Sequence, residues 1–185
     1  MQGQLATGKT TIGKKLAADL HLPLFLIDES KERIYDTLPK VPSLWQWLKV
    51  DKRSWQELYD KVGQSIKNDT SLIIEGDFAG RQRKVLHSLL TSQVSVVEIY
   101  CQADGKVLLE RFRQRRDSGD RHKGHRDNLW GPVLWLAVCA AKLGWRWPRP
   151  LRLSGRTLIV DTSDFSKVKY DEIKSYIENS GVVAQ

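Results

Sequence analysis

Apolar positions along this chain alternate between two spacings, and the alternation predicts the elements. From Thr10 to Leu20 the apolar residues Ile12, Leu16, Ala17 and Leu20 share one stripe at helical spacing. Leu22 to Ile27 is a short apolar run closed by Asp28, the pattern of a buried strand. Ser30 to Leu38 reads as a short helix that stops before Pro39, and Ser43 to Lys67 as a longer one with Leu58, Val62 and Ile66 four apart. Leu72 to Ile74 is a second buried strand, followed by Glu75-Gly76-Asp77. Further on, the pattern predicts a helix over Gln82 to Leu90, a strand over Val94 to Tyr100 and a charged helix over Lys106 to Arg116. A last strand over Thr157 to Val160 precedes a helix over Tyr170 to Asn179. Such alternation implies an α/β fold, a parallel sheet with helices on both faces. No repeat or linker divides the 185 residues, so one domain spanning 1–185 is expected.

Where the first helix begins, Gly3-Gln4-Leu5-Ala6-Thr7-Gly8-Lys9-Thr10 matches G-x-x-x-x-G-K-[ST], the phosphate-binding loop of nucleotide-binding proteins. Glycines allow backbone N–H groups to turn inward around phosphates, and the helix N-terminus adds positive potential there. Nucleotide contact is therefore expected from Gly3, Ala6, Thr7, Gly8, Lys9, Thr10 and Thr11. Lys9 would bridge the β- and γ-phosphates, and the Thr10 hydroxyl would ligate Mg²⁺. ATP and Mg²⁺ are the expected ligands. A strand normally leads into such a loop, yet only Met1 and Gln2 precede it, against a mean strand of about 5–6 residues. The usual first strand is therefore expected to be missing from this chain, through an upstream start or a truncation.

Charge and composition narrow the partners. Net charge is +8, which favours anionic ligands: nucleotides, phosphorylated acceptors or nucleic acid. The longest apolar stretch, Val133 to Ala141, is too short to span a bilayer, and the polar, Gly-rich opening is unlike a secretory leader. Cys101 and Cys139 lie far apart and suggest no disulfide framework. A reduced cytoplasmic setting is the expectation. His122 and His125 have no cysteine or further histidine nearby to complete a zinc site.

The loop, Leu26-Ile27-Asp28-Glu29, Ile73 to Phe78, Arg121-His122-Lys123-Gly124-His125 and Val160 to Asp164, taken in order, resemble small P-loop kinase-like proteins. These are often labelled AAA family ATPases or ATP-binding proteins. They are similar to the kinase domain of polynucleotide kinase, to chloramphenicol phosphotransferase and to zeta toxins. The resemblance implies an ATP-dependent phosphotransferase acting on an unidentified hydroxyl acceptor. It implies that Asp28, at the tip of the second strand, takes the acceptor's proton; the other reading is a helix cap or a solvated turn acid. Glu75 is the acid expected near Mg²⁺, with Asp77 its competitor. Glu110 to Asp127 holds seven Arg or Lys against four acids, and the resemblance makes this a lid with Arg115 and Arg121 closing over the triphosphate. Trp45, Trp47 and Trp55, like the four tryptophans between 130 and 147, suit either core packing or the wall of an acceptor pocket. Two alternatives stay open: polynucleotide 5′-hydroxyl kinase activity, and a nucleotide-binding module without useful turnover.

Overall fold

In the computed structural model the described residues are 1–39, 43–90, 94–119, 122–123, 149–153 and 156–182. The elements in order are β1 (Gln2–Gly3), α1 (Lys9–Asp19), β2 (Leu24–Leu26), α2 (Ile27–Asp36), α3 (Leu44–Lys67), β3 (Ile73–Glu75), α4 (Arg81–Leu89), β4 (Glu98–Gln102), α5 (Gly105–Asp117), β5 (Thr157–Asp161) and α6 (Tyr170–Glu178). All strand pairs are parallel: β2 with β3, β1 with β4, and β4 with β5. The two groups join through Met1, whose amino group donates to Ile74 O at 2.5 Å while Gly76 N–H donates to Met1 O at 3.3 Å. The spatial order is thus β2-β3-β1-β4-β5.

Helices cover both faces, as the alternating pattern predicts. On one face Ile12 and Leu16 of α1 and Ile173 and Ile177 of α6 pack with Ile99, Cys101 and Val160 of the sheet. On the other, Trp55, Leu58 and Val62 of α3 pack with Ile27, Phe78, Leu86 and Leu151. Ser43 opens α3 with a capping box: its side chain accepts from Gln46 N–H, and the Gln46 side chain accepts from Ser43 N–H. Buried Glu98 anchors the returning segment, accepting from Leu151 N–H at 2.7 Å, Arg152 N–H at 2.9 Å and the Thr157 hydroxyl at 3.0 Å.

Three expectations shift. The first strand is present, but only as Gln2–Gly3, in the middle of the sheet. β4 begins at Glu98 rather than Val94, because its ladder partners begin at Thr157 in β5 and at Gln2 opposite Tyr100. Upstream of Glu98 there is no strand to pair with among the described residues. Asp28 leaves the strand tip and sits in the first turn of α2, where Asp28 and Glu29 meet the helix's positive end. Of the tryptophans between β2 and β3, Trp55 is core, stacked on Tyr59 and edge-on to Phe78, whereas Trp45 is 75% exposed. The tryptophans between 130 and 147, and Cys139, lie outside the described residues. No helix among the described residues is long and apolar enough to cross a membrane.

The Met1 amino group is buried between β3 and β4, and desolvation pushes its pKa below the ordinary 8.0, against the pull of the Glu75, Cys101 and Glu98 charges. Between that lowered value and 8.0 the unfolded chain binds the proton and the folded chain does not. Stability from this group should therefore rise with pH through that window and level off above about 8. Urea midpoints of the free-amine chain from pH 6 to 9, compared with an Nα-acetylated chain, should show the rise only in the former.

Candidate functional site

The loop from Gly3 to Gly8 is shaped by close approach. Gly3 has φ +148°, and a Cβ there would lie 2.0 Å from Cys101 O. Only glycine lets β1 turn over β4 at this point. Gly8, at φ +77°, starts α1 with no side-chain cap, and a Cβ there would meet the Phe165 ring at 2.4 Å. Ala6 also takes a left-handed conformation, φ 61°. Thr7 is fully buried and donates to Gln4 O at 2.8 Å; Gln4 N–H donates to Cys101 O, and the Gln4 side chain accepts from Ala103 N–H. These bonds hold the loop as a ring above the ends of β1 and β4. The Lys9 ammonium folds back into that ring and donates to Gln4 O at 2.9 Å.

Beside the ring the Thr10 hydroxyl donates to the Glu75 carboxylate at 3.0 Å. Sequence spacing placed these two residues 65 positions apart; the parallel order β3-β1 brings them together. Glu75 is buried, and desolvation raises its pKa, with Asp28 pushing the same way against Lys9 and Thr10. Asp77, the competing acid, lies past the end of β3, so the strand does not extend far enough to carry both. It reaches solvent yet is recessed: desolvation raises its carboxyl, opposed by Lys9 and Lys31. Asp28, half-buried in the first turn of α2, is near enough to raise Glu75. Lys9, Thr10, Asp28, Glu75 and Asp77 thus converge at the carboxyl ends of the strands, the crevice where open α/β sheets bind ligands. An oxygen-rich set with one hydroxyl and a buried carboxylate suits a hard divalent cation. Thr11 is exposed on the first turn of α1.

The arginine expectations divide. Arg115 is exposed on the last turns of α5, and Arg121 lies outside the described residues. Sequence reasoning preferred these two and passed over Arg111. Arg111 instead lies by the Ser163–Phe165 segment: its guanidinium is 5.9 Å from the centre of the Phe165 ring and donates to Ser163 O at 3.4 Å. Its Nη1 is buried and has no hydrogen-bond partner among the described residues. Phe165, 39% exposed on a short 3-10 turn (Phe165–Lys167) opened by Asp164, was not singled out either. No local pattern could have found it, because its importance comes from lying against Gly8. His122 pairs with Asp36 of α2 at 3.0 Å and meets Tyr35 edge-on.

Solved structures with this fold exist. A "putative kinase" from Chloroflexus aurantiacus J-10-fl superposes with a TM-score of 0.82 at 28% identity, over 100% of this chain and 97% of that one. A sugar kinase from Janibacter sp. HTCC2649 gives 0.56 at 17% identity over 99% and 92%. A gluconokinase from Sinorhizobium meliloti 1021 gives 0.55 at 14% identity over 97% and 87%. The chain has the fold of P-loop kinases. No protein-family model matches it, and neither does any curated protein.

Within this kinase fold the Gly8–Phe165 contact is testable. Gly8→Ala should cost about 1–3 kcal/mol, through a left-handed alanine and a displaced Phe165 ring. Phe165→Ala in the same chain should recover the clash but not the strain, so urea denaturation of both single variants and the double should give non-additive losses.

Proposed function

We propose that this protein is an ATP-dependent phosphotransferase whose acceptor is a small hydroxyl compound. The observation that carries the proposal is the convergence of Lys9, the Thr10–Glu75 pair and Asp28 on one crevice at the carboxyl ends of the strands. Fold likeness to a sugar kinase and a gluconokinase supports a polyhydroxylated acceptor in particular. The motif resemblance to polynucleotide kinase, chloramphenicol phosphotransferase and zeta toxins supports hydroxyl phosphorylation more broadly.

In this reading, the loop from Gly3 to Thr11 holds the ATP phosphates through backbone N–H groups, and Lys9 leaves Gln4 O to meet them. Thr10 and Glu75 would hold Mg²⁺, which would supply charge neutralisation. Asp28 orients the acceptor hydroxyl and takes its proton. Asp77, within the field of Lys9 and Lys31, is the alternative acid for the cation. Arg111 and Phe165 border the nucleotide side, and Arg115 and Arg121 supply lid charge. The other reading is a module that binds nucleotide without turnover.

ADP release measured against gluconate, hexoses, nucleosides and 5′-hydroxyl oligonucleotides separates these readings. Acceptor-dependent release is expected, strongest with a polyhydroxylated compound. Asp28→Asn should lower kcat by about 10²–10⁴-fold while leaving ATP affinity near that of the parent. Lys9→Ala should weaken ATP binding itself. Tight ATP binding with no acceptor-dependent release would favour the binding module.

A further inference from the structure

The acceptor side of the crevice is built around one lysine. Lys31 stands three residues after Asp28 on α2, so the two share a face of that helix. Its ammonium meets Asp51 Oδ1 of α3 at 2.8 Å and lies 5.9 Å from the centre of the Trp55 ring. Gly76, just past β3, closes the same corner: a Cβ there would come within 3.2 Å of Ile27 Cγ2 and 3.3 Å of Trp55 Cη2. Asp77 follows Gly76, and Lys31 is one of two lysines that pull its carboxyl down against desolvation. Asp28, Lys31, Asp51 and Asp77 thus gather beside one buried indole, where α2, α3 and the end of β3 meet. Arg33, the next cation on α2, is bound instead to Glu57, which also accepts from the Ser30 hydroxyl.

The charges of this group select among acceptors. An ammonium carries three donors, and Asp51 takes one of those of Lys31. The other two N–H bonds can serve an acceptor oxygen. A hydroxyl accepts from such a donor without bringing charge. A carboxylate or phosphate would enter a group in which, among the described residues, three carboxylates accompany a single ammonium. Buried Trp55 behind them holds water away and makes that repulsion stronger. Lys9 does not offset it, because in the phosphotransferase reading Lys9 is taken up by the ATP phosphates.

Resting on that reading, we infer that Lys31 holds the acceptor by a hydroxyl next to the one Asp28 orients, and that the acceptor is an uncharged polyol rather than a sugar acid or a sugar phosphate. Lys31 is then a binding residue and does not touch the reacting oxygen. Asp51 fixes its ammonium and supplies part of the negative charge that turns acids away.

The test measures kcat and KM at saturating ATP·Mg²⁺ for neutral hexoses, pentoses, hexitols and nucleosides against gluconate and glucose 6-phosphate. A neutral compound should exceed both anions in kcat/KM by about tenfold or more. Lys31→Met should raise KM for that compound about tenfold, with kcat within about threefold and KM for ATP unchanged. Asp51→Asn should narrow the neutral-to-acid ratio about tenfold by admitting gluconate, a change that loss of a merely structural ion pair would not produce. Preference for gluconate or glucose 6-phosphate in the parent chain would overturn the inference while leaving the phosphotransferase reading in place. So would a Lys31→Met chain that lowers kcat and keeps its KM. The comparison of acceptors needs no variant, so it stands even where Lys31→Met fails to fold. In the absence of turnover, saturation-transfer NMR of the same compounds on the chain loaded with adenylyl imidodiphosphate and Mg²⁺ decides. Binding of a neutral polyol there, weakened by Lys31→Met, keeps the inference and sinks the phosphotransferase reading; no binding of any neutral compound overturns the inference.

Discussion

The rest of the structure depends on a very short span of backbone, Met1 to Gly3. Its hydrogen bonds to Ile74 and Gly76 on one side and its ladder with Tyr100 and Cys101 on the other are what make one sheet of two. Around this span the apolar core lies in two clusters, one built on α1 and α6 and the other on α3 and α4. A β-sheet distributes its hydrogen bonds along its strands, and here the central position holds two residues where about 5–6 is usual.

The candidate site draws on that junction. The phosphate loop begins at Gly3, where β1 turns over Cys101, and Glu75 reaches Thr10 because β3 lies next to β1. Burial then sets the electrostatics. Glu75 and Asp77 are held above the ordinary carboxylate range by desolvation, with Lys9 as the shared opposing charge. A cation or a phosphate entering this crevice would meet groups that are desolvated in advance, which is how preorganised sites make charge interactions strong. The Thr162–Phe165 segment lies against the loop: Thr162 is fully buried on Gln102 O, and Phe165 lies on Gly8.

Glu98 does for the returning chain what Met1 does for the sheet. A buried carboxylate with three donors is stable only because all three are supplied by one neighbouring segment, Leu151 to Thr157. The Arg83 side chain adds a bond to Leu151 O, and Gln2 one to Arg149 O. Leu151 is thereby fixed in the core beneath α3 and α4, and β5 enters the sheet in register.

By itself the sequence determined the things that are local. Helical stripes at Ile12–Leu16 and Leu58–Val62, apolar runs at Leu24–Leu26 and Ile73–Ile74, and the glycine-lysine loop between them each follow from spacing and side-chain type over a few residues. They were enough for the α/β class and for helices on both faces. Tertiary structure decided what depends on neighbours distant in sequence: the Thr10–Glu75 bond, Asp28 in a helix turn rather than at a strand tip, Arg111 rather than Arg115 beside the loop, and Phe165 against Gly8. It also decided that β4 starts only where a partner strand begins. A strand exists through hydrogen bonds to another strand, so its ends are set by the neighbour, and no pattern within its own residues records where that neighbour stops.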